Sequence, residues 1–216
     1  ECILEIMKKK VWIFNHYATD TMLDHGGRHY WFAKYLTRAG YDVRIFCAST
    51  VHDTDINFDV GESGYCEKMV DGLKYTLIQT SNYVGNGKSR VKNMYQFYRR
   101  IFRVVKNYEK PDVIFTSSVH PLTLLAGIKI AKKLGVKCIC EVRDLWPESL
   151  VEYDIISRNH IVTKLMYRGE RSLYKKAESL IFTMPGAVKY IEDRGWGKDV
   201  PKSKIYNINN GIDLEV

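Results

Sequence analysis

The chain has 216 residues, 45% of them hydrophobic and 12% aromatic, which excludes a largely disordered or fibrous chain and provides for one sizeable core. Its formal net charge of +8 favours anionic partners: a phosphorylated ligand, an acidic membrane surface or nucleic acid. The five cysteines are odd in number and lack CxxC spacing, so they read as reduced cytosolic thiols, and no apolar run nears the roughly 20 residues that span a bilayer.

Residues 1–6 precede Met7-Lys8-Lys9-Lys10, which resembles a natural start, and they are expected to be a vector or upstream remnant. An apolar run at 11–14 predicts the first strand. A loop is expected over 15–28, with the Gly26-Gly27 pair directly before a helix over 28–39 that begins Arg28-His29-Tyr30. Glycines let backbone approach a ligand, and the first N–H groups of a helix attract a phosphate, so Gly26, Gly27 and Arg28 are candidate substrate-binding residues. The pattern is neither GxGxxG nor GxxxxGK[ST], which removes the main support for dinucleotide or P-loop binding. Gly40 suits a left-handed cap ahead of a strand at 43–47, and Asp71-Gly72 predicts a hairpin over 65–79 at a sheet edge.

The next helix, over 89–108, carries eight Lys or Arg between Lys88 and Lys110 against one acid, Glu109. Helical spacing puts Val91, Met94, Tyr95, Tyr98, Ile101, Phe102 and Val105 against the sheet, with Phe97, Arg100 and Val104 on an exposed flank. Arg99, Arg100, Arg103 and Lys106 are candidate contacts to an anionic membrane surface. A strand at 113–115 leads into Ser117-Ser118-Val119-His120-Pro121, where His120 is a candidate base or partner for a sugar hydroxyl. A helix over 121–134, capped by Gly135, leads to a strand at 136–142. The loop over 141–149 then gathers three acids, Glu141, Asp144 and Glu148, an arginine and a tryptophan, with Arg143 and Glu148 as candidate substrate-binding residues. A helix over 161–176 with a weaker basic row at Lys164, Arg168, Arg171 and Lys175, a strand at 180–182, a helix over 185–194 and a strand at 205–208 complete the chain.

Strands alternating with helices predict an α/β fold, a Rossmann-like parallel sheet with helices on both faces and right-handed crossovers. Ligands in such sheets bind beyond the carboxyl ends of the strands. Nothing between residues 10 and 200 reads as a linker, so one domain over 7–208 is expected. No helix-turn-helix, zinc or RRM signature supports nucleic acid as partner.

The Gly26-Gly27-Arg28 turn, the helix end Leu36-Thr37-Arg38-Ala39-Gly40, the segment Glu141-Val142-Arg143-Asp144-Leu145-Trp146-Pro147-Glu148 and the terminal Asn209-Asn210-Gly211-Ile212-Asp213 resemble the N-terminal half of a family 4 glycosyltransferase, of the bacterial surface-polysaccharide and O-antigen type. The resemblance implies the acceptor-side domain of a GT-B fold, with residues 209–216 starting a linker to a second domain that shares the nucleotide-sugar donor, so that the chain alone does not complete the transfer. It implies a retaining hexosyl transfer without metal or other cofactor, to a glycan or lipid-linked acceptor, in a cytoplasmic protein peripheral to the inner face of the plasma membrane. Asp144 matches the aspartate of the family's His-Asp pair. Arg143 stands where relatives carry the histidine, which leaves His120 or Arg143 to take its part. Half of a nucleotide-sugar epimerase and a stand-alone anion- or membrane-binding module are the alternatives.

Overall fold

The computed structural model describes residues 8–211; the expected remnant at 1–6 and the Ile212-Asp213 pair lie outside the described residues. Eight strands form one sheet: β1 (Lys10–Phe14), β2 (Asp42–Ala48), β3 (Tyr65–Val70), β4 (Leu73–Ile78), β5 (Val113–Ser118), β6 (Lys137–Val142), β7 (Ser179–Phe182) and β8 (Ile205–Asn207). Their order is β3-β4-β2-β1-β5-β6-β7-β8. All neighbours are parallel except β3 and β4, the hairpin expected at the edge, whose turn uses Asp71 and Gly72 at positive φ. The chain winds outward from β1 through β2 to β4 and then crosses back to β5. The direction of winding therefore reverses between β1 and β5, the place where adjacent connections diverge and leave a crevice.

Alternation along the central strands divides the core between two faces. Trp12, Phe14 and Phe46 pack on one side with α3 (Lys88–Val104), α4 (Pro121–Leu134), α6 (Ile161–Lys176) and α7 (Ala187–Asp193). Val11, Ile13, Ile45 and Tyr75 pack on the other with α1 (Ala18–Leu23) and α2 (Arg28–Arg38). The helices at 121–134 and 161–176 fall where the sequence placed them, and Gly135 closes α4 in a left-handed conformation.

Two short helices were not expected. α1, six residues long, lies inside the anticipated 15–28 loop, and α5 (Glu148–Glu152) begins in the anticipated 141–149 loop. The basic helix is also rotated from its expected setting. Phe97 is fully buried instead of exposed and Val104 is buried too, while Val91 and Tyr95, expected in the core, are 61% and 52% exposed. The cause is polar: Asn93 is buried and bonded to Thr50, Ser81 and His16, and this fixes which side of α3 faces inward.

α4 lies close to β5 at Gly127, where an added Cβ would come within 2.7 Å of Thr116 Cγ2. Gly127→Ala is expected to lower stability by roughly 1–3 kcal/mol in spite of alanine's better helix propensity, because the clash meets packed side chain and sheet. A lower urea midpoint at unchanged slope is the expected readout.

Candidate active site

The ends of β1, β5 and β6 and the starts of α2 and α4 meet at the reversal of winding. At its centre stands Glu141, the penultimate residue of β6, with no exposed surface. Oε1 accepts from Arg28 Nε at 2.6 Å, and Oε2 accepts from His29 Nε2 at 2.8 Å and from Ser117 Oγ at 2.7 Å. Burial alone would push this carboxyl up; the hydrogen bonds from His29 and Ser117 and the Arg28 charge outweigh it and hold the group at about 2. The His29 ring is itself oriented. Asn15 Oδ1 accepts from the Tyr17 amide, so its Nδ2 donates to His29 Nδ1 at 2.8 Å, which leaves the proton on Nε2 to face Glu141.

Arg28 reaches further. One terminal nitrogen donates to the Asn209 carbonyl at 2.7 Å and the other to the Ile208 carbonyl at 2.8 Å, while the guanidinium lies over the Phe32 ring. Beside it Gly27 takes φ +86°, and a Cβ there would come within 2.8 Å of Thr21 Cγ2 on α1. The turn leaves the start of α2 without a side-chain cap, so its first N–H groups keep their partial positive charge.

His120 sits at the N-cap of α4, 1% exposed. Its Nε2 is 3.2 Å from His16 Nδ1, and His16 Nε2 is 2.6 Å from Asn93 Oδ1. Burial pushes the His16 imidazole down to about 3 and His120 well below its ordinary range, with Arg90 adding to both effects. Asp144 lies at the exposed rim; partial burial raises its carboxyl, opposed by the charges of Arg143 and Arg90. His120, Arg143 and Asp144 are thus brought to one end of the sheet along with Gly26, Gly27 and Arg28. Glu148 is drawn into a different cluster, where it bonds to Arg158, Tyr167 and Arg194 in the corner between α5, α6 and α7. Arg99 and Arg103 on α3 and Lys106 just past its end are exposed, whereas Arg100 donates to the Gln79 carbonyl at 2.6 Å.

Glu141, His29, Asn15, His16 and Asn93 were not among the residues singled out as site candidates. Glu141 carried a readable sign, an acid inside the apolar run Cys138–Val142, which must find donors if the strand is buried.

Residues 30–216 match the family described as Glycosyltransferase Family 4, well over half of the chain. This chain belongs to that family. No curated protein matches it significantly. Among solved structures, sucrose-phosphate synthase from Thermosynechococcus elongatus superposes with a TM-score of 0.63 at 14% identity, covering 96% of this chain and 49% of that one. A shorter chain of the same enzyme gives 0.58 at 13% identity, covering 96% and 92%. Phytolacca americana UGT2, complexed with UDP-2-fluoro-glucose and pterostilbene, gives 0.52 at 11% identity over 96% and 54%. The family 4 domain therefore has the fold of one half of a GT-B glycosyltransferase, and spans about half the length of the first of these relatives.

A second buried acid behaves oppositely to Glu141. Glu170 on α6 accepts only from the hydroxyls of Tyr174 and Tyr190, each at 2.8 Å, and burial raises it to about 7. Glu141, held below its ordinary 4.5, contributes stability that is present above that value and lost as the pH falls towards 2. Glu170, held above 4.5, leaves the fold most stable below that value and costs stability as the pH rises to about 7, with no further change above. Each displacement corresponds to roughly 3 kcal/mol. Urea unfolding of the family 4 domain between pH 3 and 8 is expected to lose its acid limb in Glu141→Gln and its neutral limb in Glu170→Gln.

Proposed function

We propose that this chain is the acceptor-side half of a retaining glycosyltransferase that moves a sugar from a nucleotide-sugar donor to a lipid-linked glycan in cell-surface polysaccharide synthesis. The observation that carries the reading is the crevice itself. An uncapped helix start behind Gly27 stands at the same end of the sheet as Arg143 and Asp144, in a family 4 fold that makes up about half of its structural relatives. Positive helix ends and a guanidinium suit the diphosphate of a nucleotide sugar or a lipid-linked acceptor, where charge builds up as the sugar departs.

In this reading Gly26 and Gly27 admit the sugar and phosphate to the backbone of α2. Arg143 meets a diphosphate through its planar fork. Asp144, at the rim, takes or orients the proton of the incoming hydroxyl, with His120 as its neighbour on the adjoining loop. Arg28 and Glu148 act through the contacts already described: Arg28 braces the glycine turn against Glu141, and Glu148 fixes the corner from which the Asp144 loop springs. In this reading a second domain shares the donor. The exposed Arg99, Arg103 and Lys106 place α3 against an anionic membrane at the cytoplasmic face, each adding about 1 kcal/mol. No described helix is long and apolar enough to cross a membrane.

In the complete protein, nucleoside diphosphate release from a nucleotide sugar is expected to depend on the lipid-linked acceptor, and Asp144→Asn to slow it by roughly 10²–10⁴-fold. Unchanged turnover removes Asp144 from catalysis, and epimerisation of the donor without acceptor overturns the transfer reading. Co-sedimentation with vesicles is expected only with anionic lipid, to weaken as salt rises, and to drop roughly a hundredfold when Arg99, Arg103 and Lys106 are all changed to Gln. Equal recovery with neutral and anionic vesicles overturns the membrane contact.

A further inference from the structure

The three polar side chains Asn93, His16 and His120 form a directed chain whose polarity can be read from end to end. Asn93 Nδ2 donates to Thr50 Oγ1 at 3.0 Å and to the Ser81 carbonyl at 2.7 Å. Its Oδ1 is therefore the atom turned to His16 Nε2, and as a carbonyl oxygen it can only accept. His16 carries its proton on Nε2. Because His16 is neutral, its Nδ1 holds a lone pair, and the His120 nitrogen facing it at 3.2 Å must be the one that bears hydrogen. Thr123 Oγ1, 3.5 Å from the same nitrogen, adds at most a weak second acceptor. The other ring nitrogen of His120, Nδ1, is left as a bare acceptor, enclosed and with no donor from the described residues.

Unpartnered buried polar atoms are uncommon and call for an explanation. Among the described residues Tyr75 Oη shares this state, but at His120 three residues on three separate elements cooperate to set the direction, and the open valence belongs to the N-cap residue of α4, at the crevice end of the sheet. Sugars present hydroxyl donors, and a lone acceptor of fixed direction selects a hydroxyl over a phosphate, which at neutral pH chiefly accepts.

We propose that His16 and Asn93 are positioning residues that lock His120 as its Nε2–H tautomer and reserve Nδ1 as a hydrogen-bond acceptor for a hydroxyl of the bound sugar. This rests on the reading of the crevice as a sugar site, and it adds a specific atom, its protonation state and the two residues that set it. Conservation of charge is trivial here, since no proton is transferred in the resting state; the relay fixes direction only. His16→Gln should preserve it, because the glutamine amide offers a carbonyl to His120 Nε2–H and an N–H to Asn93 Oδ1. His16→Leu should not.

The test is long-range proton–nitrogen correlation NMR on the ¹⁵N-histidine-labelled complete protein, with His120 assigned by substitution. The wild type and His16→Gln are expected to display His120 as the neutral Nε2–H tautomer, unchanged from pH 5.5 to 8. His16→Leu and Asn93→Leu should lose that tautomer, as a mixture with Nδ1–H or as titration within the range; the Gln variant keeps the test open should a Leu variant fail to fold. Saturation with UDP-glucose, or with glucose, galactose or N-acetylglucosamine alone, is expected to move Nδ1 upfield as it accepts a hydrogen bond. An Nδ1–H tautomer in the wild type, or an unaltered one in a folded His16→Leu, overturns the positioning role. Sugar that shifts the Arg143 and Asp144 resonances while Nδ1 stays still overturns the reserved acceptor but leaves the crevice a sugar site. If no sugar shifts any of them, the sugar-site reading falls, and the reserved acceptor with it.

Discussion

A single ionised carboxylate, shut away from water near the end of β6, is the constraint on which the crevice depends. Burying such a charge is unfavourable unless several donors surround it. Glu141 meets that requirement by drawing on three regions at once: Arg28 and His29 at the start of α2, Ser117 on β5, and Asn15 after β1 through the His29 ring. Remove the anion and Arg28 and His29 lose the reason for their direction. Because those two residues open α2, the setting of the glycine turn in front of them follows from the same charge.

Much of the architecture was legible because strands and helices bury different periods of residues. Runs such as 11–14 and 136–142 announced the sheet, and the glycine after α4 announced where that helix stops. The misses have physical causes. α1 and α5 span six and five residues, too short for a periodicity to emerge. The face of α3 was misjudged because apolar count was taken as the guide, whereas a buried amide, Asn93, had the stronger claim on the interior.

The crevice was legible by address and not by wiring. Strand-end loops could be located from the alternation alone, and His120, Arg143 and Asp144 do meet there. What could not be read were partnerships across long separations: Glu141 with His29, 112 residues apart, and His16 with His120, 104 apart. Two buried histidines illustrate the point. His29 turns its Nε2 proton to a carboxylate, whereas His120 turns its own to another imidazole, and nothing in the local sequence of either foretells the difference.

Arg28 gives these arrangements a thermodynamic consequence. The guanidinium that braces the glycine turn also grips the carbonyls of Ile208 and Asn209, the last described stretch of the chain. Under the proposed function, an anion held at the turn and the placement of that stretch would draw on one cation, and so would be coupled. Whatever free energy a bound anion gains by pulling Arg28 toward itself is withdrawn from the hold on 208–210, and a displacement of 208–210 changes the anion's affinity by the same factor.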